Sequence, residues 1–214
     1  TCALPISLND DDSDESYQGA RYKPSTYILE PEKFLKKYPE LDNYDLQVGQ
    51  KNLAAFMRRL LVTRFESSKY AFKSTLKRMI ENNKLIVSWW DNLKIVPIMK
   101  KGQLFNPEDF ADFSFEDGEI SDDLEAELAK LRESKGLIEI PSEWMDSKFI
   151  ADVKQDIFIL ERIYANWFGD DVVSEADPKL DKLQSEISTL LRENPARKIV
   201  IFSAYADKIG RAHV

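Results

Sequence analysis

The sequence predicts a mainly α fold with the start of an α/β unit at its C-terminus. Two long segments repeat apolar residues at three- and four-residue steps, the period of a helix that is buried along one side. A third such segment is followed by a run of β-branched residues, which is typical of a strand buried on both faces of a parallel sheet. With 214 residues, of which 43% are hydrophobic, the chain has room for one domain or slightly more.

The first long helical segment is expected at residues 50–82. Its apolar residues are Leu53, Phe56, Met57, Leu60, Leu61, Phe65, Phe72, Leu76, Met79 and Ile80. The pair Ser67-Ser68 interrupts this pattern near its middle. Because serine side chains compete for backbone hydrogen bonds, the pair predicts a break between two helices.

The same segment concentrates positive charge. Residues 51–84 contain nine basic and two acidic side chains, a net charge of +7, in a chain whose net charge is −8. The rest of the chain therefore carries −15. This asymmetry favours an anionic partner for the basic region. The alternative is that these basic residues pair with the acidic remainder of the same chain, since surface ion pairs are common.

The pattern between the long helices is less regular. Residues 85–99 contain two apolar clusters around a Trp-Trp pair. They fit either short strands or the packed end of a helix, and Pro97 argues against a central strand. Residues 105–128 are rich in Asp and Glu, which predicts a loop or an insert. A short helix is expected near residues 121–134.

The second long helix is expected at residues 142–168, where apolar residues form a broad face. They are Trp144, Met145, Phe149, Ile150, Val153, Ile157, Leu160, Tyr164, Trp167 and Phe168. Gly169 follows directly. Glycine is the residue most often found just after a helix, so Gly169 suits the C-terminal cap.

The last helix and the strand after it are bounded by clear signals. Asp177 suits an N-cap and Pro178 suits the first turn, while Asn194-Pro195 ends the helix. The apolar run at residues 198–203 then predicts the buried strand. Ligands of parallel sheets bind beyond the carboxyl ends of strands, which is where Ser203 and Tyr205 are expected.

The two ends of the chain are expected to derive from a sequencing adapter. Residues 209–214 are a possible translation of a common short-read adapter, and residues 1–6 are a possible translation of its complementary strand. Cys2 and His213, the only cysteine and histidine, fall inside these ends. The remaining chain then has no thiol nucleophile, no imidazole base and no Cys or His metal ligand. Because the sequence begins without an initiator Met, it is expected to be a piece of a longer protein.

Three stretches together resemble bacterial helicase-like ATPases of superfamily 2, on the Swi/Snf-related branch. Residues 52–68, continuing to Ala71-Phe72, are similar to the "Leu-Leu-x-Arg-Leu-Glu-Ser-Ser" helix that follows the first RecA-like lobe. Asp177-Pro178-Lys179 resembles the "D-x-K" start of the second lobe. Residues 198–207 resemble helicase motif IV, commonly "K-V-L-I-F-S-x-Y-x-D".

The resemblance implies a division of the chain around an inter-lobe region. Residues 7–49 correspond to the end of the first RecA-like lobe or a connecting segment. Residues 50–170 correspond to a helical inter-lobe region with an acidic insert. Residues 171–208 correspond to the start of the second RecA-like lobe, which is the helicase C-terminal domain.

The resemblance also implies an activity for the intact parent, an ATP-dependent helicase or translocase that uses ATP and Mg and acts on double-stranded DNA. The sequence contains no glycine-rich loop ending in Gly-Lys-Ser/Thr. The fragment alone is therefore expected to bind no ATP, to hold no catalytic or metal-ligating residue, and to be inactive. A cytoplasmic location is expected, and no apolar run approaches the roughly 18 residues of a membrane span.

Six residues are candidates for contacts to a nucleic-acid backbone. They are Arg58, Arg59, Arg64, Lys73, Ser203 and Tyr205. Cations and hydroxyl groups bind phosphate without reading sequence. In the competing interpretation, the cations form ion pairs within the chain, Ser203 only ends a strand, and Tyr205 is an ordinary packed side chain. At the level of the whole chain, the alternative function is a non-catalytic acidic helical scaffold or partner-binding module.

Overall fold

The computed structural model describes residues 16–39, 41, 43–99, 126, 128–130, 132–133, 136–169 and 178–200. Within these residues the chain is mainly helical and contains a two-stranded antiparallel sheet. The mainly α prediction is thereby confirmed. The helices are α1 (Pro31–Lys37), α2 (Asn43–Ser67), α3 (Lys69–Ser88), α4 (Lys148–Phe168) and α5 (Pro178–Glu193), and the strands are β1 (Ile95–Met99) and β2 (Leu137–Pro141).

The predicted break between two helices is confirmed at Ser68. This residue is extended (φ −162°, ψ 152°), and its side chain accepts a hydrogen bond from the backbone N–H of Ala71. The bond satisfies one of the donors that every helix leaves unpaired at its start. Helix α2 begins at Asn43, earlier than the start that the sequence predicts at residue 50.

Both interpretations of residues 85–99 hold in part. Helix α3 runs to Ser88, a π-helical turn follows at Trp89–Leu93, and β1 begins at Ile95. Lys94 turns the chain with a left-handed backbone (φ 57°). Strand β1 pairs antiparallel with β2, from Ile95 opposite Pro141 to Met99 opposite Leu137. A two-stranded sheet has no central strand, which is why Pro97 is accommodated.

The second long helix begins later than the sequence predicts. Residues Ser142–Trp144 form a 3₁₀ turn, and Met145 makes an antiparallel bridge with Ile28. Asp146 then accepts a hydrogen bond from the N–H of Lys148 at 2.8 Å, which starts α4. Gly169 occupies the C-terminal cap as predicted, although in a right-handed conformation (φ −65°, ψ −28°).

The acidic insert was predicted at residues 105–128, and residues 100–125 lie outside the described part. The short helix expected near residues 121–134 agrees with the described residues there, since 126, 128–130 and 132–133 are helical. Leu128 is fully buried in this helix. Arg132 donates to both carboxylate oxygens of Glu139 on β2, at 2.9 and 3.0 Å, which ties the helix to the sheet.

The apolar interior consists of two clusters that share α3 and α4. The sheet cluster joins both strands, α1, the end of α3 and the start of α4, with Phe34, Trp89 and Phe149 at 0% exposure. The helix cluster joins the middle of α2 and α3 to the second half of α4, around Leu61, Phe72 and Leu160. Two long helices thus run through both clusters and hold them as one body.

The C-terminal region differs from the sequence prediction. Helix α5 spans Pro178–Glu193, so the Pro178 start and the Asn194-Pro195 end are confirmed, while Asp177 lies outside the described residues. Residues 198–200, expected to open a buried strand, have no regular secondary structure, and Val200 is 73% exposed. Among the described residues, no strand lies beside them to pair with. The rest of that strand is outside the described part, so the RecA-like lobe stays a prediction.

Candidate nucleic-acid interface

The predicted basic region lies on α2 and α3. The chain changes direction between these helices at the extended residue Ser68, which we call the Ser68 corner. One side of α2 packs into the helix cluster through Ala54, Leu61 and the partly buried Phe65. The ring of Phe65 packs edge to face against two other rings. Its centroid lies 5.1 Å from that of Phe72 on α3 and 4.9 Å from that of Trp167 on α4. These contacts fix which sides of α2 and α3 remain available to other molecules.

The three candidate arginines of α2 differ in burial. Arg59 is exposed, whereas Arg58 and Arg64 are only partly exposed. The reason is helical geometry, because Arg58 follows the buried Ala54 by four residues and Arg64 follows the buried Leu61 by three. Of the three, Arg59 is therefore the side chain best placed to meet a phosphate group.

Lys73, the fourth candidate cation, lies against α4. Its ammonium group is 5.6 Å from the ring centroid of Phe168 and 6.0 Å from that of Tyr164. A cation at this distance is attracted by the negative face of an aromatic ring, by about 0.5–1 kcal/mol at an exposed site. Lys73 therefore has a packing role between α3 and α4. Ser203 and Tyr205, the other two candidates, lie outside the described residues.

Part of the positive charge on α3 pairs with acidic residues, as the competing interpretation expects. Lys84 contacts Glu161 of α4 at 2.6 Å, and Lys77 lies 3.8 Å from Glu81 one turn away. These side chains are each about half exposed or more, so water and salt weaken both pairs. Paired cations of this kind can still exchange a carboxylate for a phosphate.

A buried polar site that the sequence reasoning did not predict lies on α4. Asp156 is 0% exposed. One carboxylate oxygen accepts from the backbone N–H of Gln18 at 2.6 Å and the other from that of Ala20 at 2.9 Å. Gly19 between them has a left-handed backbone (φ 63°), which turns successive N–H groups toward one anion. Asp156 thus fastens the N-terminal segment to α4.

Burial raises the pKa of Asp156 to about 7, although the backbone N–H groups of residues 18–20 oppose the shift. Burial likewise raises the pKa of the neighbouring Tyr17 and Tyr22. The guanidinium of Arg21 donates to the hydroxyl of Tyr22 at 3.3 Å. A signal for this site exists in the sequence, because Asp156 is an acidic residue within the apolar spacing of Phe149, Val153 and Leu160.

Two features characterise a nucleotide–magnesium site, a phosphate-binding loop and a set of metal ligands. The sequence has no Gly-Lys-Ser/Thr loop, and across the described ranges no three His, Cys, Asp or Glu side chains converge as metal ligands. In the same ranges no helix is long and apolar enough to cross a membrane.

Helices α2 and α3 therefore carry exposed cations, and α4 carries a buried acidic side chain with a structural role. The resemblance to Swi/Snf-related ATPases rests on the three stretches of sequence quoted for it. No protein-family model, no curated protein and no solved structure matches this chain.

Proposed function

We propose that this chain is the inter-lobe part of an ATP-dependent DNA helicase or translocase of the Swi/Snf-related type. In this proposal α2 and α3 lie between two RecA-like lobes and contribute contacts to the nucleic-acid backbone. ATP and Mg would be bound by parts of the parent protein that carry the missing motifs. The partner is a nucleic acid, with double-stranded DNA as the expected form.

The observation that carries the proposal is the exposed Arg59 within residues 51–84 of α2 and α3, whose net charge is +7. A charge of this size in a chain of net charge −8 concentrates anions at one surface. Backbone phosphates would be held there by charge and by hydrogen bonds, independently of base sequence. The exposed Lys51, two turns before Arg59, extends the same surface.

The test is binding of a fluorescent DNA duplex by anisotropy, measured from 50 to 200 mM salt. Each phosphate contact contributes about −0.9 to the slope of log K against log salt. We expect Arg59→Gln to weaken binding and to make the slope less negative by about 1. The matched control is Arg162→Gln on α4, which removes an exposed arginine elsewhere and should leave the slope unchanged.

Two outcomes decide against the proposal. The first is that neither the natural chain nor a variant with fewer acidic residues binds the DNA duplex. The other is binding to which Arg59 and Arg162 contribute equally, since it would reflect net charge and no defined surface. The non-catalytic scaffold or partner-binding module would then be the better account of the chain.

A further inference from the structure

The exposed side of α2 combines cations with apolar side chains. Phe56 is 57% exposed and Val48 is 39% exposed. Val48 lies about one turn before the exposed Lys51, and Phe56 lies about one turn before the exposed Arg59. Tyr70, at the start of α3, is 44% exposed. A phosphate backbone would use the cations but would leave these apolar groups in water. The surface therefore suits a ligand that is both anionic and apolar.

The chain itself contains a segment with this chemistry. Residues 108–127 hold ten Asp and Glu residues and no Lys, Arg or His. Phe110, Phe113 and Phe115 are interleaved with them. The segment therefore complements residues 51–84 of α2 and α3 in charge, −10 against +7, and its aromatic residues complement their exposed apolar groups. An acidic chain without aromatic residues would match the charge alone.

The segment is also covalently attached to the folded body that carries that surface. It begins after β1, whose last residue Met99 pairs with Leu137 of β2. It ends at the helix that holds the buried Leu128 in the sheet cluster. Both attachment points belong to the same folded body as α2 and α3. Covalent attachment to the body that carries the binding surface raises the effective concentration of the segment, into the millimolar range for short linkers, so even weak complementarity suffices for binding in cis.

We propose that the acidic residues 108–127 dock on the exposed basic side of α2 and α3 of the same molecule and compete there with other polyanions. The docking stands on the charges and the exposed groups of the chain itself. The competition with a nucleic acid rests on the proposed function, and the two parts are tested separately.

Docking is tested by zero-length carbodiimide coupling of carboxylates to lysines, followed by mass spectrometry of the full chain. We expect intramolecular links from residues 108–127 to Lys51 and Lys77. The reference lysines are Lys154 on α4 and Lys182 on α5, which are also exposed and should be linked less. Links should fade at 1 M salt, where the Debye length is about 3 Å. Equal linking of all four lysines, or links formed only between molecules, would overturn docking in cis.

Competition is tested with two variants that lose the same number of carboxylates. The first changes five acidic residues of the segment to their amides, at Asp112, Glu116, Asp117, Asp122 and Asp123. The second does the same to the five acidic residues within 10–15. Because the change in net charge is equal, a difference between the variants reports the location of the charge.

We expect the segment variant to bind a DNA duplex at least about tenfold more tightly than the control variant at 50 mM salt. Equal affinities of the two variants would overturn the competition. Selective links to Lys51 and Lys77 without duplex binding by any variant would support docking and would reject the nucleic-acid function, so failure of one proposal is distinguishable from failure of the other.

Discussion

Helices α4 and α5 both carry apolar residues at helical spacing, yet only α4 buries them. The buried residues of α4 run from Phe149 to Phe168 through both clusters. In α5, by contrast, Leu183, Leu190 and Leu191 are 38%, 37% and 39% exposed. Helical spacing therefore determines which side of a helix is apolar, but another element must cover that side before burial stabilises the fold.

The polar residues of the two helices differ in the same way. In α4, Asp156 is buried and held by backbone N–H groups of the N-terminal segment. In α5, the acidic residues Asp181, Glu186 and Glu193 are exposed. A hydrogen bond joins α5 to α2: the ammonium group of Lys179 donates to the backbone carbonyl oxygen of Glu66. The fold thus depends on α4 far more than on α5.

Matched leucine truncations should separate the two helices most strongly. Leu160→Ala in α4 removes a side chain of 0% exposure and leaves a cavity, so the free energy of unfolding should fall by about 2–5 kcal/mol. Leu190→Ala in α5 should change it by less than about 0.5 kcal/mol. Urea denaturation followed by circular dichroism measures both. Equal losses would mean that α5 is covered in solution.

Asp156 should give the chain a pH dependence that no exposed carboxylate of α5 reproduces. Its pKa is raised to about 7 from an ordinary 3.8, so between these values the folded state keeps a proton that the unfolded state has released. Its contribution to the free energy of unfolding should therefore fall as pH rises from about 4 to 7.

Asp156→Asn should remove this pH dependence and leave a backbone N–H without an acceptor, at a cost of about 1–3 kcal/mol. The loss relative to the natural chain should be largest near pH 5 and should narrow by pH 8. The control Asp181→Asn in α5 should keep the natural pH profile. Denaturant midpoints across pH 4–8 measure these differences, and a gap that widens with pH would reverse the assignment.

Removing the hydroxyl group of Ser68, between α2 and α3, should have a smaller effect, because the change removes a hydrogen bond and no apolar contact. Ser68→Ala removes the acceptor for the N–H of Ala71, at a cost of about 1 kcal/mol. Thr189→Ala in α5, whose hydroxyl donates to the carbonyl oxygen of Ser185 at 3.0 Å, should cost less than about 0.5 kcal/mol. Thermal denaturation compares the two variants. If the Ser68 variant is as stable as the natural chain, the helix break is stabilised by packing and the Ser68 hydrogen bond contributes nothing.

The smallest difference is expected between two surface ion pairs. Lys84 and Glu161 join α3 to α4 at 2.6 Å, while Lys182 and Glu186 lie 4.0 Å apart within α5. Both pairs are largely exposed. Lys84→Met should lower the free energy of unfolding by under about 1 kcal/mol and Lys182→Met by less still. The difference should disappear in 1 M salt, and a difference that persists there would be due to packing.

Sequence reasoning identified the elements whose signals are local. The break at Ser68, the start of α5 at Pro178 and its end before Asn194 follow from capping and from proline chemistry. It placed the start of α4 too early, because Trp144 and Met145 fit the helical period but belong to a 3₁₀ turn and a bridge to Ile28. That bridge is a contact between distant residues, which spacing along the chain does not encode.

The same limit applies to the candidate site. The charge asymmetry of residues 51–84 can be read from the sequence, but the relative burial of Arg58, Arg59 and Arg64 depends on how α2 packs against α3 and α4. The role of Lys73 depends on two rings of α4. Asp156 was missed as an anchor because its hydrogen-bond partners lie at residues 18–20, far away in the sequence.

The pairing of Met99 with Leu137 has a consequence for the evolution of the chain. The two residues lie opposite each other, so the chain leaves β1 and enters β2 at neighbouring backbone positions. A change in chain length between Met99 and the buried Leu128 then need not move either strand, because doubling the length of a connection costs only about 0.6 kcal/mol of closure entropy. We expect insertions and deletions to be tolerated between these two residues.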